Sequence, residues 1–117
     1  MSPEVPRDGT LLGALFESLV TMSLRVYAQS CEARVGHLRT AGGEHEVDLI
    51  VERDDHRVVA IEVKLTGAPD AHDVRHLLWL REKMGDELLD CAVITSGKEA
   101  YRRQDGIAVI PLALLGP

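Results

Sequence analysis

The sequence predicts an α/β domain: a helix, a three-strand antiparallel meander, a second helix and a fourth strand, arranged around a mixed β-sheet. Two runs carry most of the prediction. His45-Glu46-Val47-Asp48-Leu49-Ile50-Val51-Glu52 and Val58-Val59-Ala60-Ile61-Glu62-Val63-Lys64-Leu65 both keep the two-residue period of a strand. Their odd positions, Val47, Leu49 and Val51 with Val59, Ile61, Val63 and Leu65, make one hydrophobic face, and Asp48, Ala60, Glu62 and Lys64 point to the other. The third observation is the helical spacing of apolar residues before and after these runs, which makes the second helix a crossover to a parallel strand.

The elements follow in order. Residues 1–9, with Pro3, Pro6, Asp8 and Gly9, read as a flexible leader, and 10–117 as a single domain. Thr10 can cap a long, mostly buried helix to about Ser30, with Leu12, Leu15, Phe16, Leu19, Val20 and Val26 on its packing side. Ala33 to Thr40 reads as a strand and Gly42-Gly43 as a tight turn. The polar stretch Arg53-Asp54-Asp55-His56-Arg57 has hairpin length, and only a register that puts both odd-numbered sets on one side buries them together. Gly67-Ala68-Pro69 stops the third strand. Asp70 is an N-cap candidate with Asp73 behind it; Val74, Leu77, Leu78, Arg81 and Met84 continue at helical spacing to a stop at Gly85. Leu88 to Thr95 is the fourth strand, Tyr101-Arg102-Arg103 a short polar turn or helix, and Gly106 to Ile110 a last short strand before an apolar tail.

Composition narrows the classes. With 117 residues, 45% hydrophobic and 27% charged, the chain has the balance of one globular domain. Cys31 and Cys91 have no CxxC or Cys/His spacing, so a zinc site and a disulfide framework are not indicated, and a reducing cytoplasm is the expected setting. No apolar stretch approaches the roughly 18 residues of a membrane span. The net charge of -6 argues against a surface that coats polyanions generally. Arg34, Arg39, Arg75, Arg81, Lys83, Arg102 and Arg103 can line a path for a nucleic-acid backbone or serve as scattered solubilising charges. Trp79 either seals the core edge or anchors a partner, and the tail Ile110 to Leu115 either packs on the sheet or supports a homodimer.

Asp48, Glu62 and Lys64 carry the chemistry. Two carboxylates from adjacent strands on one face repel unless something positive sits between them, and such oxygen ligands suit Mg²⁺ or Mn²⁺. Lys64 lies two positions beyond Glu62 on the same face, where its ammonium can orient a water and offset charge on a phosphate oxygen. Together they describe metal-assisted phosphodiester hydrolysis. The plainer alternative is a surface salt bridge of Lys64 with Glu62 or Asp48. Val58, Ala60 and Ile50 on the same face suggest a partly covered sheet, which favours the site.

Asp48 followed after an interval by Glu62-Val63-Lys64 resembles the PD-(D/E)XK nuclease signature, and the element order is similar to the restriction endonuclease-like core. Gly13-Ala14-Leu15-Phe16-Glu17, His37 to Thr40, Glu46-Val47-Asp48, Ala60 to Lys64, His76-Leu77, Asp105-Gly106-Ile107 and Pro111-Leu112 extend the likeness over nearly the whole chain. This string resembles the C-terminal nuclease-like domain, DUF4143, of bacterial and archaeal AAA+ family ATPases. The resemblance implies that Asp48 and Glu62 ligate the metal, with the Val63 carbonyl as third oxygen, and that Lys64 handles the water and the phosphate. Glu17 matches the acid that the superfamily often places on its first helix, binding a metal through water or assisting a second ion; the alternative is a solvated Glu at the helix edge.

The sequence departs from the superfamily at two points. Where many relatives carry a helical Gln-xxx-Tyr, the second helix offers His72, Asp73, Arg75 and His76, for which phosphate contact and a helix-surface pair are the alternatives. The usual Pro before the first acid is Val47. No G-x-x-x-x-G-K-[ST] is present, so this chain alone is not expected to hydrolyse ATP. The expected function is a Mg²⁺- or Mn²⁺-dependent nuclease domain acting on DNA. The alternative is a noncatalytic nucleic-acid-binding or assembly module that works with an AAA+ ATPase partner.

Overall fold

The sheet grows outward from the two alternating runs. A computed structural model describes residues 17, 20–22, 24–26, 28–29 and 33–114; the leader 1–9, Thr10, Leu12, Leu15, Phe16, Leu19 and Cys31 lie outside them. β1 (Arg34–Arg39) pairs antiparallel with β2 (Glu46–Glu52), and β2 with β3 (Val58–Lys64). Leu49 lies opposite Ile61 and Val51 opposite Val59, so odd positions meet odd positions as the alternation requires. The described residues between positions 17 and 29 are all helical (α1). Helix α2 (Arg75–Met84) crosses from β3 to β4 (Leu88–Thr95), which lies parallel to β3. β5 (Tyr101–Arg102) and β6 (Ala108–Pro111) complete a six-stranded mixed sheet in the order β1-β2-β3-β4-β6-β5.

Both sheet faces are covered. Val20 and Leu24 of α1 pack on Leu49, Ile61, Ala92 and Ile94. Val74, Leu77 and Leu80 pack on the opposite face, against Ala60, Cys91 and Val93. The face of β2 and β3 that carries Ile50 and Ala60 is therefore a second core layer under α2, more covered than the sequence suggested. Cys91 is a buried free thiol within it, and burial pushes it up to about 11, so it packs as an inert hydrophobe.

Several expectations are corrected. Val26 is exposed by 64%, because the buried stripe of α1 is Val20, Leu24 and Ala28 at four-residue spacing. Among its described residues only these three are buried, so the helix expected to be mostly buried shows one buried face there. Leu65 is 45% exposed, since β3 ends one residue before it. Tyr101–Arg102 is an edge strand paired with Val109 and Ala108 instead of a turn or helix. A fork of two hydrogen bonds from Arg102 to the Asp90 carboxylate, 3.0 and 3.1 Å, ties it to β4. The Asp70 N–H donates to the Asp73 carboxylate at 2.9 Å and the Asp73 N–H to the Asp70 carboxylate at 3.0 Å, but these close a turn, and α2 begins only at Arg75. Gly85 stops the helix with φ 58.

The loops that follow the parallel strands β3 and β4 touch at Gly67 and Gly97. A Cβ on Gly97 would stand 2.9 Å from the Gly67 Cα and 3.1 Å from its carbonyl oxygen. Gly97→Ala is expected to destabilise the fold by about 1–3 kcal/mol in urea unfolding. Gly36→Ala, where a Cβ meets nothing within 4 Å, is expected to change stability by no more than about 1 kcal/mol.

Candidate functional site

A bulge in β2 builds the site. Gly36 pairs with Ile50, but Leu38 pairs with Val47, so His37 alone faces both Asp48 and Leu49. The extra residue reverses the alternation. Val47 packs with Ala60 and Ile50 under α2, while Leu49 and Val51 belong to the layer beneath α1. Val47 was expected on the Leu49 face, and the bulge is why it is not. Glu46 and Asp48 turn toward α1, where they line a cavity of about 360 Å³ together with Glu17, Thr21, Arg25 and His37.

The bulge also opens a fork between β2 and β3. Backbone pairing stops at Leu49 and Ile61, and the two acids bridge what lies beyond. The Asp48 N–H donates to Glu62 Oε1 at 3.2 Å, and the Val63 N–H donates to Asp48 Oδ2 at 2.8 Å. Each carboxyl thus replaces a lost ladder partner with one oxygen. The second oxygen of each has no hydrogen-bond partner among the described residues. The N–H and C=O of one strand residue point the same way, so the Val63 carbonyl also faces the fork.

Electrostatics mark the pair. Glu62 is only 3% exposed. Burial, followed by the Asp48 charge, pushes its carboxyl from 4.5 up to about 8. Burial also raises Asp48; the Val63 N–H and Lys64 pull it back, while Glu17 and Glu46 push it further up. Lys64 and Glu46 thus act on both acids and Glu17, at the exposed rim, on Asp48. A surface salt bridge describes this poorly, because no ion pair forms between Lys64 and either acid among the described residues and Glu62 is buried.

The donor set fits a hard divalent cation. Mg²⁺ is commonly held by one or two carboxylates together with waters and substrate phosphates, and two carboxylates plus a strand carbonyl meet that requirement. Among the described residues, no group of three or more His, Cys, Asp or Glu side chains could hold a metal ion by itself. Within the described fork, the Val63 backbone carbonyl is the third protein oxygen on offer.

The other residues singled out from sequence divide. His76 is half-buried on α2; its Nδ1 lies 3.1 Å from that of His45, one ring donating and the other accepting. Burial, then the Arg75 charge, lowers His76 below its usual value. Arg75 turns back to the His72 carbonyl at 2.7 Å. Trp79 is half-buried and stacks on His45 at 4.0 Å, sealing the α2 layer. The basic path largely dissolves into local structure: Arg34 pairs with Glu52, Arg102 with Asp90 and Arg103 with Asp105. Arg25, His37 and Glu46 were not singled out as site residues, although Arg25 stands at helical spacing from Glu17.

The family model for a domain of unknown function, DUF4143, matches residues 12–115. The chain belongs to the DUF4143 family. Among curated proteins, none matches this DUF4143 chain. Among solved structures it is similar to one described as an EndoMS-dsDNA2 complex, at 24% identity and a TM-score of 0.45. That similarity covers 69% of the DUF4143 chain and 36% of the other, well under two thirds of that protein's length. No helix among the described residues is long and apolar enough to cross a membrane.

The raised Glu62 carboxyl makes stability depend on pH. The folded state holds a proton that the unfolded chain releases near 4.5, so the stabilisation is complete below 4.5 and is lost as pH rises through about 8. Urea unfolding in a chelator is expected to show stability falling across that window. Glu62→Gln should flatten the fall, and an unchanged profile would remove Glu62 as its source.

Proposed function

We propose that residues 10–117 form a PD-(D/E)XK-type nuclease domain that hydrolyses DNA phosphodiester bonds with Mg²⁺ or Mn²⁺. The observation that carries this reading is the pair of acids bridging the β2–β3 fork, one of them buried and each with an oxygen to spare. Asp48 and Glu62 hold the cation, the Val63 carbonyl adds an oxygen, and Glu17 reaches the same space from α1 through water or a second ion. A bound divalent cation supplies charge neutralisation and Lewis acidity at the phosphate. Lys64 orients the attacking water and offsets charge on the phosphate oxygens. The pair suits this role, because a buried carboxyl beside a second, half-buried one gains when a cation replaces the proton that Glu62 keeps. A cytoplasmic setting, a homodimer and an AAA+ ATPase domain or partner belong to the same proposal; the free thiol of Cys91 is in keeping with the first.

A second reading, a noncatalytic nucleic-acid-binding or assembly module beside an AAA+ ATPase, draws on the absence of a three-side-chain ligand group among the described residues. Two measurements separate the readings. Supercoiled, linear and branched DNA incubated with Mn²⁺ is expected to be cut, with Asp48→Ala and Lys64→Ala each slowing cleavage by at least about 100-fold. Cleavage that survives both substitutions sinks the assigned site. Calorimetric Mn²⁺ binding that disappears in Asp48→Asn supports the nuclease, and no binding by the unmodified chain supports the module.

A further inference from the structure

The geometry points to the cavity between α1 and the β1–β2 edge as the track of the nucleic-acid strand, with Arg25 as its phosphate anchor and His37 facing it. The inference rests on the nuclease reading for where the strand is cut, but not for where it lies. One wall is a row at four-residue spacing on α1, Glu17, Thr21 and Arg25; the other is His37, Glu46 and Asp48 on the strands. The cavity's volume of about 360 Å³ falls within the range of small-ligand clefts, about 300–1,000 Å³.

The row is graded in charge. Glu17 acts electrostatically on Asp48, so the acidic end of the helix stands at the fork. Thr21 spends its hydroxyl proton on the Glu17 carbonyl at 2.9 Å, which leaves the oxygen's lone pairs and no free donor. Arg25 stands two turns on, about 12 Å along the axis at about 1.5 Å per residue. It is exposed and has no ion-pair partner among the described residues, although three carboxylates line the same cavity. A guanidinium held apart from nearby acids suits a planar, bidentate partner such as a phosphate. In duplex geometry the phosphates of one strand follow each other by about 3.4 Å of axis, so Arg25 sits roughly three to four nucleotides from Glu17, and fewer on an extended single strand.

The surrounding charge gives the track a condition. Glu17, Glu46 and Asp48 outweigh Arg25 within the cavity, so a strand enters favourably only once a cation occupies the acidic end. Lys64 at the fork apart, the ten other Arg and Lys side chains among the described residues do not line this cavity. The strand is held at two points, a cation at one end and Arg25 at the other.

The test uses anisotropy of labelled single-stranded DNA binding to the Lys64→Gln chain in Mg²⁺ across a salt series. Arg25→Gln is expected to weaken binding about fivefold or more and to reduce the salt slope by about 1, while Arg25→Lys keeps the slope. A neutral methylphosphonate walked along the DNA should weaken binding at one site some nucleotides from the cut, and Arg25→Gln should erase that effect. Binding and salt slope unchanged by Arg25→Gln, in protein that unfolds at the wild-type temperature, overturn the track. Cleavage by the unmodified chain is scored separately: an Arg25-independent nuclease refutes the track alone, and Arg25-dependent binding without cleavage refutes hydrolysis alone.

Discussion

Two hydrogen bonds at the mouth of the β2–β3 fork, from the Asp48 N–H to Glu62 and from the Val63 N–H to Asp48, organise everything around them. They exist because the Asp48–Leu49 bulge breaks the ladder with β1 and turns β2 out of regular pairing with β3. An open fork would leave strand amides unpaired near the core, at a cost of roughly 1–3 kcal/mol each. The carboxyls satisfy two of these groups. In doing so they are drawn out of water and toward each other, so the bridging that closes the fold is also what charges the site.

That coupling explains why the acids tolerate burial. A carboxylate without partners in this position would lose more solvation than one N–H returns, and Glu62 responds by keeping a proton up to about 8. The protonated form is the folded chain's own solution to its electrostatics. A divalent cation is the other solution, and it trades one proton for two ligands. If the fork binds metal as proposed, pH and metal concentration decide which one holds, and the stability of this sheet would be linked to occupancy of its fork.

Much of the architecture was legible because it depends on local pattern. The alternation in β2 and β3 fixed their register, and Leu88–Thr95 could be bounded as a strand from its own residues. What stayed hidden depends on partners distant in sequence. The bulge at Asp48 is a property of β1 and β2 together, so strict alternation put Val47 on the wrong face. Tyr101–Arg102 is a strand only because β6 pairs with it and Asp90 holds its arginine. The two acids and Lys64 stood out as charges in apolar runs, whereas Arg25 and His37 looked like ordinary surface until α1 and β1 were set face to face across the cavity.

The chain's acidity takes on a different meaning from this arrangement. A net charge of -6 ordinarily opposes binding to a polyanion. Here Glu17, Glu46 and Asp48 gather in one cavity with Arg25, while several arginines elsewhere are tied to carboxylates of their own. Part of the repulsion thus lies at the place where a cation could cancel it. A domain built this way would bind nucleic acid weakly in general, and binding in the proposed track would depend strongly on metal. Long-range attraction would then have to come from elsewhere, from a partner or a linked domain, and the acidic surface would limit contact to strands delivered to the fork.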